Sequence, residues 1–324
     1  MYQISELQQL LDQGINNYPY PSSPRNLYEP VSYLLGLGGK RLRPALVLLA
    51  ADLFEGDVEK AIKPAMAIEF FHNFSLMHDD IMDKAPLRRG KPTVHARWND
   101  ETAILSGDIM LIEAYKLITH VDAEILPQVI HVFNKVATEV CEGQQMDMNF
   151  EKESSVSISD YIEMIKLKTA VLLGGSLQIG AIIAGSTTIN QQLINEFGTK
   201  LGIAFQLQDD ILDVYGDPEK FGKQVGGDII SNKKTFLLIK SLELAKDHLK
   251  LELERLLIDQ KIAAEEKVSR VTAIYNALNI KEIAHKKMMD YANDALECLD
   301  KINVADDRKL ILKDFATHLI MRDK

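Results

Sequence analysis

The chain has 324 residues, of which 46% are hydrophobic, and its formal net charge at pH 7 is −10. This acidic balance argues against nucleic acid as a partner and against a general affinity for anionic membranes, so any polyanionic ligand must be met by local positive charge. Two distant cysteines, no recognisable signal peptide and no apolar run of membrane-spanning length predict a cytoplasmic protein with neither a disulfide framework nor stable membrane insertion.

Apolar residues recur at spacings of three and four through most of the chain, and the alternating pattern of strands is missing. The sequence therefore predicts an all-α protein, and without a Ser/Gly/Pro-rich linker we expect a single domain over residues 1–324. In chain order, the predicted helices cover residues 3–14, 27–37, 42–54, 59–83, 100–119, 123–151, 159–185, 189–216, 233–259, 263–277, 279–302 and 305–321.

Paired glycines and three cations follow one another in the segment from Gly38 to Pro44, GGKRLRP. Glycine lets backbone N–H groups approach a diphosphate closely, and guanidinium groups bind its oxygens in pairs. Cations at the start of a helix oppose its dipole, so helix stability alone does not explain the cluster. The segment therefore predicts a diphosphate site; a loop that leads into a basic helix start is the alternative.

The helix predicted over residues 59–83 ends in the acidic motif HDDIMD. Asp79 and Asp83 are four residues apart, which places their carboxylates on one helix face, roughly 6 Å apart. Two such carboxylates repel each other unless they share a proton or bind a cation, and oxygen ligands suit magnesium. The motif alone is a weak signal because solvated acidic turns share it, but it recurs in FQLQDDILD, residues 205–213.

A basic loop follows each acidic motif. Residues 86–93, PLRRGKPT, have the proline and glycine content of a loop, in which adjacent arginines can serve two anions; a solvated basic turn is the alternative. Residues 221–228, FGKQVGGD, and the KKT segment at 233–235 repeat this arrangement. Two copies so far apart in the chain fit two walls of one cavity.

Two predicted helices carry polar groups in their middle. EGQQMD at residues 142–147 contains Gly143, and KLKT at residues 166–169 places cations in an otherwise apolar helix. A buried lysine needs a partner or loses its charge, and an anionic ligand would supply that partner.

A different hypothesis is a ferritin-like di-iron site formed by Glu69-x-x-His72 and Glu282-x-x-His285. Short patterns of this kind arise by chance, and this one leaves the acidic motifs and the basic loops unexplained. His72 is instead expected to face the same cavity as the acids, with an ordinary core histidine as the alternative.

These segments, in this order, resemble the motifs of the trans-isoprenyl diphosphate synthases, also called polyprenyl synthetases. The match is dense over about residues 36–235 and includes GGKRLRP, HDDIMD, LRRGKPTVH, GDIMLIEAY, EGQQMD, KLKTA, FQLQDDILD and the GK and KKT segments. The resemblance implies an isoprenoid-synthase-type all-α barrel of about ten core helices around a deep central cavity, and a homodimer. It also implies magnesium-dependent head-to-tail condensation of isopentenyl diphosphate with dimethylallyl, geranyl or farnesyl diphosphate.

The same resemblance assigns roles to residues. The expected magnesium ligands, for three ions with the allylic diphosphate bound, are Asp79, Asp80, Asp83, Asp209 and Asp213. The expected contacts of the allylic diphosphate are Arg88, Lys168 and Lys223, and those of isopentenyl diphosphate are Lys40, Arg43, His72 and Arg89. Thr169 and Gln206 are expected to turn their oxygens toward the developing cation. Lys233 is expected to contact the substrate from a closing loop. Gln144 and Asp147 are expected to contact the groups that bind the metals. The expected catalytic residues are Asp79, Asp83, Arg88, Lys168, Thr169, Gln206, Asp209, Lys223 and Lys233.

Product length is expected to depend on the side chains that precede Asp79 on its helix. Ser75, four positions upstream, is small where the shortest-chain relatives place an aromatic ring, and Phe74 matches the position whose bulk stops geranylgeranyl-forming relatives. Phe71 lies about one turn deeper on the same helix. Together, these residues and the resemblance imply a twenty-carbon geranylgeranyl product, with the fifteen-carbon farnesyl compound as intermediate or co-product. A longer-chain synthase and ordinary core packing of Phe74 are alternatives. Terpene cyclases differ in the second acidic motif, and non-catalytic partner subunits typically lack one of the two.

Overall fold

The computed structural model describes residues 2–217, 226–259 and 261–320, and these are almost entirely helical, which confirms the predicted all-α class. The elements up to residue 118 are α1 Ile4–Asn16, α2 Arg25–Gly36, α3 Leu42–Leu53, α4 Val58–Met82, β1 Leu87–Arg88, β2 Lys91–Pro92, α5 Val94–Arg97 and α6 Asp100–Ile118. They are followed by α7 Leu126–Lys152, α8 Ile158–Ile165, a π-helical turn at Lys166–Ala170, α9 Val171–Ile183, α10 Thr188–Tyr215 and α11 Gly227–Ile230. The remaining helices are α12 Phe236–Leu244, α13 Asp247–Ile258, α14 Ala264–Ala277, α15 Ile280–Asp300 and α16 Asp306–Ile320.

Two of the predicted helices are interrupted in the structure. The helix predicted over residues 159–185 contains the π turn, in which the backbone hydrogen bonds widen to i→i+5. The helix predicted over residues 233–259 begins only at Phe236 and is broken by the extended backbone of Ala245 and Lys246. Residues 86–93, predicted as a loop, also contain the antiparallel hairpin of β1 and β2. The short helices α5 and α11 have no counterpart in the prediction.

The chain divides into two compact units. The first contains Met1–Ala137, Gly175–Asn195 and Asn303–Arg308, and the second contains Thr138–Gly174, Glu196–Ile302 and Lys309–Lys324. The HDDIMD motif therefore belongs to the first unit and the FQLQDDILD motif to the second. The single domain expected over residues 1–324 stays a prediction.

The core of the first unit is built around α4. Residues 65–71 of this helix are all buried, and α3 and α6 pack against it. Gly180 allows α9 to approach α3 closely, because a methyl group at this position would lie 2.1 Å from the carbonyl oxygen of Val47. The first acidic motif thus lies at the end of a helix that is held firmly by its neighbours.

The second unit is organised around the C-terminal half of α10. Gly202 on this helix faces the π turn, since a methyl group there would lie 2.7 Å from Cα of Ala170. The buried Tyr161 on α8 donates a hydrogen bond to Asp210 on α10. These contacts pack the π turn and its flanking helix onto the helix that carries the second acidic motif.

Among the described residues, the stretch Ile158–Ile183 is long and apolar enough to span a membrane, by length and composition alone. Within its most apolar window, 78% of the residues are buried inside the protein. Such burial is typical of a core helix.

Candidate active site

The GGKRLRP segment turns sharply before α3. Gly38, Gly39 and Arg41 have positive φ values of 76°, 148° and 43°. A methyl group on Gly39 would lie 2.8 Å from Nη2 of Arg89, so glycine is what lets this guanidinium approach the backbone. Lys40, which follows in the chain, is exposed.

Arg41 points inward and serves the core. It donates hydrogen bonds to the carboxylate of Glu69, to the carbonyl oxygen of Leu35 at 2.6 Å and to the carboxylate of Asp12 at 3.2 Å. Glu69 is 3% exposed and also accepts a hydrogen bond from Asn73 at 2.9 Å. Removing one partner of such a buried pair costs about 3–5 kcal/mol. Because Glu69 is engaged in this way, the di-iron hypothesis loses one of its ligands.

A cationic cluster in the first unit consists of Lys40, Arg43 and Arg89 with the imidazole of His72. Arg43 and His72 form its inner part. Nη1 of Arg43 lies 3.2 Å from Nε2 of His72, and Nε of Arg43 is buried with no hydrogen-bond partner among the described residues. Burial, followed by the charges of Arg43, Arg89 and Arg88, lowers the pKa of His72 well below its usual value of 6.5. His72 is therefore neutral at pH 7, and the cluster presents guanidinium groups that an anion can bind.

The hairpin of β1 and β2 sends its two arginines in different directions. Its turn residues, Arg89 and Gly90, have φ values of 53° and 72°, as a two-residue hairpin turn requires. Arg88 points to α4, where its Nε and Nη2 each donate to one carboxylate oxygen of Asp80 at 2.8 Å. Arg89 instead approaches Gly39. The two adjacent arginines therefore serve different partners.

The ion pair between Asp80 and Arg88 was not among the contacts predicted for these side chains. Asp80 was expected to bind magnesium and Arg88 to bind the allylic diphosphate, whereas in the structure they bind each other and Asp80 is 3% exposed. Their predicted roles require this pair to open or to share its oxygens with a ligand. Lys223, another predicted contact of the allylic diphosphate, lies outside the described residues.

Aromatic and cationic side chains brace the hairpin. The hydroxyl of Tyr33 donates to the carbonyl oxygen of Pro92 at 2.7 Å, and the ring of Tyr33 packs edge-on against Trp98, with centroids 5.3 Å apart. The guanidinium carbon of Arg97 lies 4.4 Å and 4.6 Å from the centroids of these two rings. Cation–π contacts of this kind stabilise the base of the hairpin.

Asp79 and Asp83 share one face of α4, as their spacing predicts. The N–H of Asp83 donates to the carbonyl oxygen of Asp79 at 2.8 Å, so helical geometry continues to Asp83. Asp83 is exposed and Asp79 partly exposed. Within the described ranges, no group of three or more His, Cys, Asp or Glu side chains is arranged to hold a metal ion. Two accessible carboxylates nevertheless fit magnesium, which usually keeps several waters and takes phosphate oxygens as further ligands.

The second acidic motif shows the same division between an inner and two outer acids. Asp210 is buried and accepts a hydrogen bond from the hydroxyl of Tyr161. Burial raises the pKa of Asp210 to about 7, and the charge of Asp228 contributes further. Asp209 and Asp213, four residues apart on α10, are partly exposed. In both motifs, the second acid of the doublet is held by the protein and the outer acids share an accessible face.

Asp228 joins the second motif, although sequence reasoning assigned it no role. Its N–H donates to Oδ2 of Asp213 at 3.0 Å, and the N–H of Gly226 donates to the carbonyl oxygen of Asp213 at 2.6 Å. Gly226 has a φ of 84°, and a methyl group there would lie 2.6 Å from Val268. The signal in the sequence was the GGD triplet that ends the second basic loop.

Lys267 on α14 holds the segment that follows Asp228. It is 7% exposed and donates to the carbonyl oxygen of Ile230 at 3.1 Å and to Oδ1 of Asn232 at 2.6 Å. Burial lowers the pKa of Lys267. The predicted residue Lys233 lies in this segment, and its N–H donates to the carbonyl oxygen of Asp228 at 2.9 Å.

The π turn brings Lys168 and Thr169 against α7 and α10. Nζ of Lys168 donates to the carboxylate of Asp147 at 2.6 Å. Gly143 lies one turn earlier on α7 and allows backbone contact, because a methyl group there would lie 2.2 Å from the nitrogen of Lys168. Oγ1 of Thr169 lies 3.4 Å from Oε1 of Gln206. The predicted residues that lie together here are therefore Lys168, Thr169, Gln206, Asp147 and, half-buried on α7, Gln144.

A row of aromatic side chains precedes the first acidic motif. Ring centroids are 5.8 Å apart for Phe71 and Phe74, 5.6 Å for Phe71 and Phe133, and 4.8 Å for Phe74 and His78. Phe71 is 1% exposed, whereas Phe74 is partly exposed. The hydroxyl of Ser75 donates to a backbone carbonyl of the preceding turn at 2.8 Å. The side chains expected to set product length thus lie between the acids and the core of the first unit.

Comparison with known proteins places the chain in a family. The family model described as polyprenyl synthetase matches residues 24–278. A short chain isoprenyl diphosphate synthase of Methanothermobacter thermautotrophicus is 35% identical over 309 residues, which cover 95% of this chain and 94% of that protein. A geranylgeranyl pyrophosphate synthase of Geoglobus acetivorans is 37% identical over 322 residues, which cover 99% and 98%. A crystal structure of a geranylgeranyl pyrophosphate synthase has a TM-score of 0.95 at 42% identity, with 100% of both chains covered.

The all-α fold, the repeated acidic motif and the cationic cluster are those of a prenyltransferase. The chain belongs to the polyprenyl synthetase family, which confirms the resemblance found in the sequence. A ferritin-like di-iron protein is no longer a competing interpretation.

Proposed function

We propose that the protein condenses isopentenyl diphosphate head-to-tail with an allylic diphosphate and releases all-trans geranylgeranyl diphosphate. The row of side chains before Asp79 carries the assignment of product length. Ser75 is small, and the ring of Phe74, one position further from the acidic motif, packs against Phe71 and His78. We place the end of the growing chain at this ring. Relatives named as geranylgeranyl pyrophosphate synthases support the same length. Farnesyl diphosphate is then an intermediate or a co-product.

We assign magnesium to the outer acids of both motifs, Asp79, Asp83, Asp209 and Asp213. Three ions are expected with the allylic diphosphate, and when bound they stabilise the leaving diphosphate as its bond to the allylic carbon breaks. Asp80 and Asp210 are buried and accept hydrogen bonds from Arg88 and Tyr161. The inner acids thus anchor the helix ends and leave the outer acids accessible.

The cationic cluster of the first unit is proposed to bind isopentenyl diphosphate. Arg43, Arg89 and Lys40 supply positive charge, and neutral His72 can supply a hydrogen bond. The buried Nε of Arg43 supports this assignment most directly, because a buried donor without a partner is costly unless a ligand accepts its hydrogen bond. The phosphate oxygens of isopentenyl diphosphate provide such acceptors.

The reaction requires no protein nucleophile. Cations neutralise the charge that develops on the leaving diphosphate, and we assign this role to Arg88, Lys168, Lys223 and Lys233. The oxygens of Thr169 and Gln206 are proposed to face the allylic carbocation, and apolar walls keep water from quenching it. The double bond of isopentenyl diphosphate then forms the new carbon–carbon bond, and the departed diphosphate is proposed to accept the released proton.

Mass analysis of the products made from isopentenyl diphosphate and each allylic starter tests the proposed reaction. With magnesium, the main product should carry twenty carbons, and EDTA should abolish turnover. A main product longer than twenty carbons would favour a longer-chain synthase. Asp79→Ala should lower turnover by orders of magnitude while leaving helix content intact, whereas Asp122→Ala, at an exposed acid of the same unit, should not.

Phe74→Ala tests the assignment of product length. If Phe74 limits the chain, this variant should stay active and release longer products than the native protein. An active variant with unchanged products would mean that another side chain limits the product, either Phe71 or one near Glu113, a buried residue of α6. If Phe74 only packs the core, the substitution should mainly lower stability, by a few kcal/mol through the cavity it leaves.

A homodimer and a cytoplasmic location complete the proposal. Ile104, Leu105 and Ile112 on α6 are 45%, 59% and 50% exposed, and contiguous exposed apolar side chains usually mark an interaction surface. A twofold contact between two copies of α6 would cover them. Leu105→Glu should therefore shift the protein from dimer to monomer in sedimentation velocity. Cell fractionation tests the location, which rests on the sequence alone.

A further inference from the structure

The second unit contains a cavity of about 550 Å³ that the proposed reaction does not use. Residues of α10, α15 and α16 line it, and its volume is within the range of small-molecule sites. Its apolar part is formed by side chains that include Ile211, Leu212, Met288 and Leu296, and one end is lined by Lys281 and His285.

The cavity lies on the far side of α10 from the second acidic motif. A helix turns by about 100° per residue, so Gln206, Asp209 and Asp213 share one face of α10. Ile211 and Tyr215, which line the cavity, project from roughly the opposite face. The cavity is therefore distinct from the proposed magnesium site, yet the same helix borders both.

Charge and polarity divide the cavity into two parts. Among the residues that the structure describes, the lining includes Lys281 and His285 and no acid, in a chain whose net charge is −10. Nζ of Lys281 lies 5.0 Å from the ring centroid of Tyr215, and the Tyr215 hydroxyl donates to Asn276 at 3.0 Å. The tyrosine ring thus helps to hold the cation at one end of the cavity.

The other part offers an apolar floor. Met288 is 1% exposed, Ile211 4% and Leu212 7%, so these side chains are largely buried, and Leu296 on the same helix as Met288 is half-buried. Methionine adapts its shape to irregular apolar ligands. A flexible hydrocarbon chain can therefore lie on this floor while an anionic head reaches Lys281.

We propose that this cavity binds a single-chain anionic amphiphile, namely a hydrocarbon chain with a carboxylate or phosphate head. The head lies between Lys281 and His285, and the chain covers Met288 and Leu296. Neither feature alone identifies the ligand, because neutral lipids need no cation and small anions need no apolar floor. The proposal rests on the lining of the cavity and is independent of the identity of the reaction product.

Isothermal titration calorimetry in EDTA, without diphosphate substrates, tests the site. The probes are palmitate, geranylgeranyl monophosphate and the neutral alcohol hexadecanol, each below its aggregation limit. We expect saturable one-to-one binding of at least one anion and markedly weaker binding of hexadecanol. A preference for palmitate would indicate a fatty-acid ligand, and a preference for the monophosphate an isoprenoid phosphate.

Three variants separate this site from others. The double substitution Lys281→Gln and His285→Gln should weaken binding of the preferred anion by about ten- to a hundredfold, because it removes charge-assisted hydrogen bonds. Leu296→Trp, which fills the apolar part, should abolish binding without a change in helix content. Lys286→Gln, on the same helix but outside the lining, is the matched control and should bind as the native protein does.

Two results would overturn the proposal. One is the absence of saturable binding for both anions with native protein. The other is binding that survives both the double substitution and Leu296→Trp. Because the assay contains neither magnesium nor diphosphate substrates, it can fail while the proposed condensation stands, and the reverse also holds.

Discussion

Replacing Gly143 by alanine tests whether contact between α7 and the π turn positions Lys168. The added methyl group would lie 2.2 Å from the nitrogen of Lys168 and 2.7 Å from the carbonyl carbon of Leu167. Both are backbone atoms, which cannot rotate away as the end of a side chain can. The two segments must therefore separate by about 1 Å to restore ordinary van der Waals contact.

This displacement should affect activity more than stability. Overpacking a well-packed contact costs roughly 1–3 kcal/mol, which lowers Tm by several degrees in a protein of this size. The same shift moves Lys168 and Thr169 relative to their partners on α7 and α10, and a misplacement of about 1 Å at a reacting centre can cost about a hundredfold in rate. We therefore expect kcat/KM for the allylic substrate to fall by about two orders of magnitude in Gly143→Ala.

Steady-state kinetics together with thermal unfolding followed by circular dichroism measure both effects. Gly36→Ala is the matched control, because a methyl group at that helical position meets nothing within 4 Å. The control should keep its activity and lose no stability. Native activity and native Tm in Gly143→Ala would refute the reasoning, since the close contact would then play no part in positioning Lys168.

Two further substitutions test groups whose burial is unusual. The pKa of His72 is lowered in the folded protein, so below pH 6.5 this residue is protonated in the unfolded chain but neutral in the folded one. His72 therefore makes the free energy of unfolding fall as the pH decreases, by at most about 1.4 kcal/mol per pH unit. In urea unfolding of the metal-free protein, His72→Gln should therefore flatten the dependence between pH 6.5 and 5; the same slope as in the exposed-site control His120→Gln would contradict this. Lys267→Met leaves two partly buried acceptors without their donor, so it should lower stability by about 1–3 kcal/mol and reduce kcat about tenfold, because the segment that carries Lys233 loses its anchor. Equal kcat in Lys267→Met and in the exposed control Lys261→Met would show that this anchor is irrelevant to turnover.

Local periodicity was sufficient to predict most helices and the shared face of Asp79 and Asp83. Both depend on spacing along one helix, which the sequence states directly. The inward orientation of Asp80 could not be predicted in this way. It depends on Arg88, eight residues later in a hairpin whose turn needs two positive φ values.

The π turn was also outside the reach of periodicity. Its two lysines mark polar groups in an otherwise apolar helix, but their spacing says nothing about the hydrogen-bond register. Two close backbone contacts lie against the turn, at Gly143 and Gly202. Both glycines come from other helices. A change in hydrogen-bond register at Lys166–Ala170 therefore reflects tertiary packing, which no window of the sequence contains.

The chain contains a single tryptophan, and its position gives the protein an intrinsic optical reporter. Trp98 packs against Tyr33, whose hydroxyl is bonded to the hairpin that carries Arg88 and Arg89. The guanidinium of Arg97 lies over both the ring of Tyr33 and the indole of Trp98. A displacement of the hairpin that moves Tyr33 therefore changes the electric field at the indole. Emission from the unlabelled protein can therefore follow ligand binding at the hairpin in real time, without a reacting substrate and without any added dye.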